Sequence, residues 1–127
     1  MKLLAIDTAT EQCSVALLID DRCITRCVRI PRGHAELILP MIQEVLAEAG
    51  VTLKQVDVIG FGRGPGAFTG VRIAIGVVQG VAFACDIPVI GISNLAAVAQ
   101  QAVSAQGDIL VCMDARMAEV YWGMFKS

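Results

Sequence analysis

Residues 58–85 read VIGFGRGPGAFTGVRIAIGVVQGVAFAC, and this stretch decides how the chain folds. The apolar run at 58–61 predicts a short buried strand. The glycines and the proline at 62–66 predict a loop that bends tightly or lies against another surface, because glycine adopts backbone conformations closed to other residues. A helix is then predicted over 69–85, with the hydroxyl of Thr69 as its N-cap.

The predicted helix over 69–85 is apolar on both of its sides. At about 100° per residue, one side contains Gly70, Ala74, Val77, Val78, Val81 and Cys85. The other side contains Arg72, Ile75, Gly76, Gln79 and Phe83. A helix that is apolar all round is normally buried all round. One side packs on the parent sheet, and we expect a partner protein to cover the other.

The remaining segments predict an alternation of strands and helices around this unit. Strands are predicted over residues 2–7, 13–19, 23–30, 89–92, 109–113 and 119–125, and helices over 34–49 and, from an N-cap at Ser93, to about 105. Three hairpin-linked strands followed by helix-linked strands predict an α/β fold of the ribonuclease-H-like kind. We expect a single domain whose mixed sheet has helices on both faces.

The helix predicted over 34–49 has an apolar stripe that should face the core. Its members are Ala35, Ile38, Leu39, Ile42, Val45, Leu46 and Ala49. Leu37 and Met41 lie beside this stripe and widen the apolar face. Two interpretations stay open for this pair. Either both side chains are buried in the core of this domain, or they extend the surface that contacts a partner.

Composition favours a protein that interacts with other proteins. Of the 127 residues, 56% are hydrophobic and 17% are charged, which is unusually apolar for a small domain. The net charge is −2 and no Lys/Arg cluster is present, so we expect the domain alone to be a poor nucleic-acid binder.

The N-terminus and the cysteines bear on the cellular compartment. The apolar run at the N-terminus is short and soon reaches Asp7, unlike a signal peptide. The most apolar window, at 73–85, is shorter than the roughly 20 residues that span a bilayer. Five cysteines occur without a CxxC pair. We expect reduced thiols in a cytoplasmic protein without a membrane segment.

The sequence contains few residues that could form a catalytic, nucleotide-binding or metal site. Asp7, Thr8 and Thr10 form a polar turn between hairpin strands and are weak candidates for contact with a nucleotide phosphate. The glycine loop is neither GxxxxGK[ST] nor GxGxxG, and it contains no lysine. His34 is the one histidine, so no HxxxH metal pair exists. We therefore predict no catalytic residue and no metal site.

Four segments together resemble one bacterial family. GPGAFTGVR at 64–72 is similar to the GPGSFTGLR segment of the TsaB (YeaZ) family, and IDTAT at 6–10, RGHAE at 32–36 with LP at 39–40, and DARMAEVY at 114–121 match it as well. The resemblance extends over residues 1–127 and corresponds to the N-terminal half of the family. It implies that a second domain is absent from this chain, as in a truncated or proteolysed form.

The resemblance implies an actin-like ATPase fold and a role in making threonylcarbamoyladenosine next to the anticodon of tRNA. In that family the TsaB-like protein is a non-catalytic partner of the TsaD-like transferase, which holds the metal, and of the ATPase TsaE. ATP and metal are thus expected on the partners. The lone His34 departs from the HxxxH pair of TsaD-like proteins, which favours an accessory subunit.

The resemblance also implies where the partner binds. The first two helices of family members pair with those of TsaD, or with a second TsaB copy, in a helical bundle. Gly76 and Gly80, one turn apart, would then let a facing helix approach closely. Ile75 and Phe83 would be apolar anchors, Arg72 would be a polar contact, and Gln79, Leu37 and Met41 would complete the surface.

Three alternatives stay open. Relatives are filed under a glycoprotease name, so a protease that acts on its partner is one alternative. A nucleotide-binding protein of the phosphotransferase kind is the second. A homodimeric module is the third, and it differs from the leading hypothesis only in the identity of the partner.

Overall fold

The computed structural model describes residues 1–102 and 106–126. The strands are β1 (Lys2–Asp7), β2 (Gln12–Ile19), β3 (Arg22–Arg29), β4 (Val58–Gly62), β5 (Val89–Ile92), β6 (Asp108–Arg116) and β7 (Glu119–Lys126). The helices are α1 (His34–Ala49), α2 (Phe68–Cys85) and α3 (Asn94–Gln100), with a 3-10 turn at Leu53–Gln55. The predicted order of elements is confirmed. The predicted continuation of the third helix to about residue 105 falls partly outside the described residues.

Five strands form the mixed sheet that the sequence predicts. Their order is β3-β2-β1-β4-β5. The first three strands pair antiparallel, whereas β1 pairs with β4, and β4 with β5, in parallel. Short hairpin turns can connect the antiparallel strands, whereas the parallel strands β4 and β5 need a crossover connection, which α2 supplies. This order brings the glycine loop after β4 next to the turn after β1.

The core lies on one face of this sheet. Leu4, Ile6 and Ile59 of the central strands pack against side chains of both helices, such as Ile42 of α1 and Val78 of α2. The two long helices therefore share one face. The third helix, α3, packs mainly against the β6–β7 hairpin.

The buried face of α1 differs from the predicted apolar stripe. Met41 is 4% exposed and belongs to the core, whereas Leu39 is 49% exposed. The buried stripe is centred on Ile38 and Val45, so Met41 falls on its edge and Leu39 falls outside it. The prediction that Met41 belongs to a partner surface is wrong. Leu37 is half-buried and packs against the core.

Of the two N-caps predicted from the sequence, the one at Ser93 is confirmed and the one at Thr69 is wrong. The side chain of Ser93 accepts a hydrogen bond from the amide of Ala96, as an N-cap does. The helix α2 begins at Phe68 with Ala67 at the cap position, so the predicted N-cap role of Thr69 is wrong. Thr69 lies already inside the first turn.

The strands β6 and β7 form a hairpin with its own two-stranded sheet. One face of the hairpin packs against α3. The other face exposes a ladder of apolar side chains from both strands, Leu110, Val120, Trp122 and Met124. The hairpin is therefore not an extension of the five-stranded sheet.

An ion-pair cluster joins α1 to the edge strand β3. The Nη2 atom of Arg26 lies 2.5 Å from Oε1 of Glu48, and its Nε atom lies 3.3 Å from Oε2 of Glu44. The hydrogen bond from Arg26 holds the pKa of Glu48 below its ordinary value. This pair connects the end of α1 to the sheet at the surface.

Glu48→Gln is expected to make stability less sensitive to acid. Because the folded-state pKa of Glu48 lies below its unfolded value, its contribution is present above the unfolded value and is lost as pH falls through the folded value. Urea denaturation should show a deficit in the stability of the variant at about pH 7 that becomes smaller as the pH is lowered through the ordinary carboxyl range towards about pH 3.

The matched control for this variant is Glu36→Gln on the same helix. Glu36 is exposed and takes part in no ion pair among residues 1–102 and 106–126. It breaks no ion pair, so it should lack the deficit at about pH 7 that loss of the Arg26 pair causes in Glu48→Gln. A deficit of Glu48→Gln that is equal at both pH values would contradict the assignment.

Candidate functional site

The glycine loop lies directly against the turn after β1. A β-carbon at Gly66 would lie 2.6 Å from the carbonyl oxygen of Ala9, and one at Gly70 would overlap the carbonyl oxygen of Thr8. The amide of Ala67 donates to the carbonyl of Ala9 at 2.8 Å. The sequence-based expectation that this loop lies against another surface is confirmed. Glycine is required here because backbone meets backbone.

Both carboxylate oxygens of Asp7 accept hydrogen bonds from within the chain. Oδ1 accepts from the amide of Ala9 at 2.8 Å, and Oδ2 accepts from the side-chain amide of Asn94 at 2.7 Å. The Oδ1 atom of Asn94 in turn accepts from the amide of Gly64 at 2.7 Å. Asp7 and Asn94 thus join the turn, the glycine loop and the start of α3.

Thr8 and Thr10 are also engaged in local contacts. Thr8 is 0% exposed, and its hydroxyl donates to the carbonyl of Gly70 at 2.5 Å. The hydroxyl of Thr10 accepts from the amide of Gln12 at 3.2 Å. The carbonyl of Thr10 accepts from Nε2 of His34 at 2.8 Å, and His34 itself is buried. This imidazole therefore stabilises the turn.

The structure brings the predicted phosphate candidates together, but as a packed junction. Thr8 is fully buried and cannot contact a ligand, so the prediction that it contacts a phosphate is wrong. Asp7 is held by Ala9 and Asn94, and only Thr10 is exposed. Within residues 1–102 and 106–126, no three His, Cys, Asp or Glu side chains are grouped as metal ligands. Sequence reasoning missed Asn94, because nothing local links it to Asp7.

The helix α2 divides into a covered side and an exposed side, as the sequence predicts. Ala74 and Val78 are buried against the sheet. Phe83 is 92% exposed on the opposite side. A β-carbon at Gly76 or Gly80 would have no atom within 4 Å, so the surface there is open. The exposed positions also include Arg72 and Gln79, with Ile75 half-buried beside them.

Taken by length and composition alone, α2 could cross a membrane. It has 18 residues with a mean hydropathy of 1.6, and it is the one such helix in the part of the chain that the structure describes. The apolar window predicted at 73–85 is shorter than the helix, which begins at Phe68. Ala74 and Val78 are buried, and the other residues of this helix are half-buried or exposed. The exposed side is the feature that needs an explanation.

Comparisons with known proteins agree with this fold. A family model described as "TsaD: tRNA N6-adenosine threonylcarbamoyltransferase" matches residues 29–127. The Escherichia coli protein named tRNA threonylcarbamoyladenosine biosynthesis protein TsaB is 47% identical over 128 residues, which cover 99% of this chain and 55% of that protein. The Haemophilus influenzae protein of the same name is 51% identical over 96% of this chain and 52% of that protein.

The chain belongs to this TsaD-like family, in its TsaB (YeaZ) branch. A solved structure titled "YeaZ from Pseudomonas aeruginosa" superposes with a TM-score of 0.92 at 55% identity, covering 99% of this chain and 60% of that chain. The chain thus spans little more than half the length of the TsaB relatives it matches.

More distant structures share the fold alone. The Thermus thermophilus RuvC structure has a TM-score of 0.52 at 17% identity and covers 75% of this chain. The YeaZ structure and the matching family model confirm the predicted ribonuclease-H-like fold and the actin-like class implied by the TsaB resemblance. The partner surface on α2 stays a prediction.

Proposed function

We propose that this chain is a non-catalytic subunit in the biosynthesis of threonylcarbamoyladenosine in tRNA, and that it acts by binding a TsaD-like transferase in the cytoplasm. The names of the TsaB relatives support the pathway. The observation that carries the binding role is the exposed side of α2, where Phe83, near the C-terminal end of the helix, is 92% exposed. ATP and metal belong to the TsaD-like and TsaE-like partners in this proposal.

The two exposed glycines of α2 support a facing helix as the occupant. Each glycine inside a helix costs about 1 kcal/mol relative to alanine. Gly76 and Gly80 pack against nothing in the described residues, so the fold of this chain does not require them. One turn apart, they leave a shallow site where the backbone of a partner helix can approach closely. Ile75 and Phe83 flank that site as apolar anchors.

The closed turn supports the non-catalytic part of the proposal. In actin-like ATPases a turn in this place wraps the phosphates, whereas here Asp7, Thr8 and Gly70 are bonded to one another or to their neighbours. The protease alternative needs a free general base, and His34 is buried and bonded to Thr10. No observation favours either enzymatic alternative.

The exposed side of α2 also suits a second copy of the chain. An apolar face that lacks its partner associates with itself by mass action at high concentration. We therefore propose a homodimer in isolation that the TsaD-like protein displaces.

Light scattering over a concentration series tests this proposal. The purified protein is expected to form a dimer whose fraction rises with concentration, and an equimolar TsaD-like protein from the same genome should convert it into a one-to-one complex. A monomer that stays monomeric when the TsaD-like protein is added would overturn the binding role. A dimer that resists the partner would favour the homodimeric alternative.

A further inference from the structure

A groove of about 630 Å³ lies beside the exposed side of α2. We call it the arginine groove. Its apolar floor is formed by Pro65, Phe68, Val71 and Ile75, and its polar groups come from Arg63, Arg72, Gln79 and Tyr121. The groove shares Arg72, Ile75, Gly76 and Gln79 with the predicted partner surface. A helix that docks on α2 would therefore cover the groove.

The charges in the arginine groove are unbalanced. Arg63 and Arg72 take part in no ion pair within residues 1–102 and 106–126, and no Asp or Glu lines the groove. By contrast, Arg26 pairs with Glu44 and Glu48 across the sheet edge. The positive groove lies in a chain whose net charge is −2. A partner that covers it must supply negative charge, because burying an unpaired cation is costly.

Both arginines are held in place by their neighbours. The guanidinium of Arg72 lies 4.1 Å from the ring centroid of Phe68, in a cation–π contact. The stem of Arg63 runs over Gly91, where a β-carbon would lie 3.3 Å from Cδ of the arginine. Side chains that are ordered before binding lose less conformational entropy when they bind.

We infer that the arginine groove binds an aspartate or glutamate side chain of the TsaD-like partner when that partner packs on α2. This inference rests on the proposed function. A planar carboxylate suits the fork of donors on a guanidinium, and such charge-assisted pairs are roughly twice as strong as neutral hydrogen bonds. The apolar floor accommodates the methylene groups of an acidic side chain, which a free phosphate does not have.

The test compares affinities for the TsaD-like protein at about 50 mM and about 500 mM salt, where screening of exposed charges differs strongly. The double variant Arg63→Gln/Arg72→Gln is expected to bind roughly 10-fold or more weakly at low salt, with a smaller difference at high salt. The double variant Arg63→Lys/Arg72→Lys keeps the positive charges but loses the paired donors of the guanidinium. Its affinity should lie between those of the wild type and the glutamine variant.

Two controls make the outcome decisive. Arg22→Gln/Lys54→Gln removes two exposed positive charges outside the groove and should bind as the wild type does. Thermal unfolding of each variant checks that the fold is intact. Affinities of the groove variant equal to those of the wild type at both salt concentrations would overturn the inference. ATP binding by the wild type that the groove variant loses, with partner affinity unchanged, would overturn it in favour of a free anion.

Failure of this inference is distinguishable from failure of the proposed function. If Phe83→Glu abolishes partner binding and the groove variant does not weaken it, the proposed function stands and the arginine groove has no part in it. If the wild type does not bind the TsaD-like protein, both are overturned.

Discussion

Phe83→Glu is expected to weaken binding of the TsaD-like protein by about 100-fold or more, because it places an unpaired charge in an apolar contact. The side chain of Phe83 is 92% exposed, so it contributes little to the packing of this chain. The free energy of unfolding should therefore change by no more than about 0.5 kcal/mol. Calorimetric titration measures the affinity, and urea denaturation measures the stability.

Met117→Glu is the matched control for this variant. Met117 is as exposed as Phe83 but lies at the tip of the β6–β7 hairpin, away from α2. It should bind the partner as the wild type does. Ile75→Glu, at a position that lines the arginine groove, should weaken binding as Phe83→Glu does. Full affinity of both α2 variants would mean that the partner docks on another surface.

The division of α2 into two sides could be predicted because it depends on helical periodicity alone. The same periodicity misassigned α1: Leu39 and Met41 lie at opposite edges of one apolar stripe, and only the position of the sheet decides which of them is buried. Helix orientation is set by tertiary packing, which a single sequence does not contain.

The phosphate candidates show a second limit of the sequence. Asp7 and Thr8 have the residue types of a phosphate turn, but their side chains are bonded to Asn94 and Gly70. Asn94 is 87 positions from Asp7 along the chain, so no local pattern reveals the contact. The glycines at 66 and 70 were the available clue, since glycine at a close approach implies that something lies against it.

Gly70→Ala is expected to lower the free energy of unfolding by about 3 kcal/mol. Alanine favours a helix by up to about 1 kcal/mol over glycine, so local propensity acts in the opposite direction. The cost arises because the new methyl group would overlap the carbonyl oxygen of Thr8, and a backbone atom cannot rotate away. The glycine loop and the turn after β1 would have to separate, which would also break the bond from the Thr8 hydroxyl.

Gly76→Ala tests the same substitution where the space is open. A β-carbon at Gly76 meets no atom within 4 Å, so this variant should be as stable as the wild type or up to about 1 kcal/mol more stable. Its affinity for the TsaD-like protein should nevertheless fall, since the methyl group fills the site of helix approach. Opposite effects on stability at two glycines of one helix would separate their roles, Gly70 in closing the turn and Gly76 in admitting a partner. Equal stability of the two variants would mean that the turn opens at little cost, and a phosphate ligand at Asp7 and Thr10 would regain support.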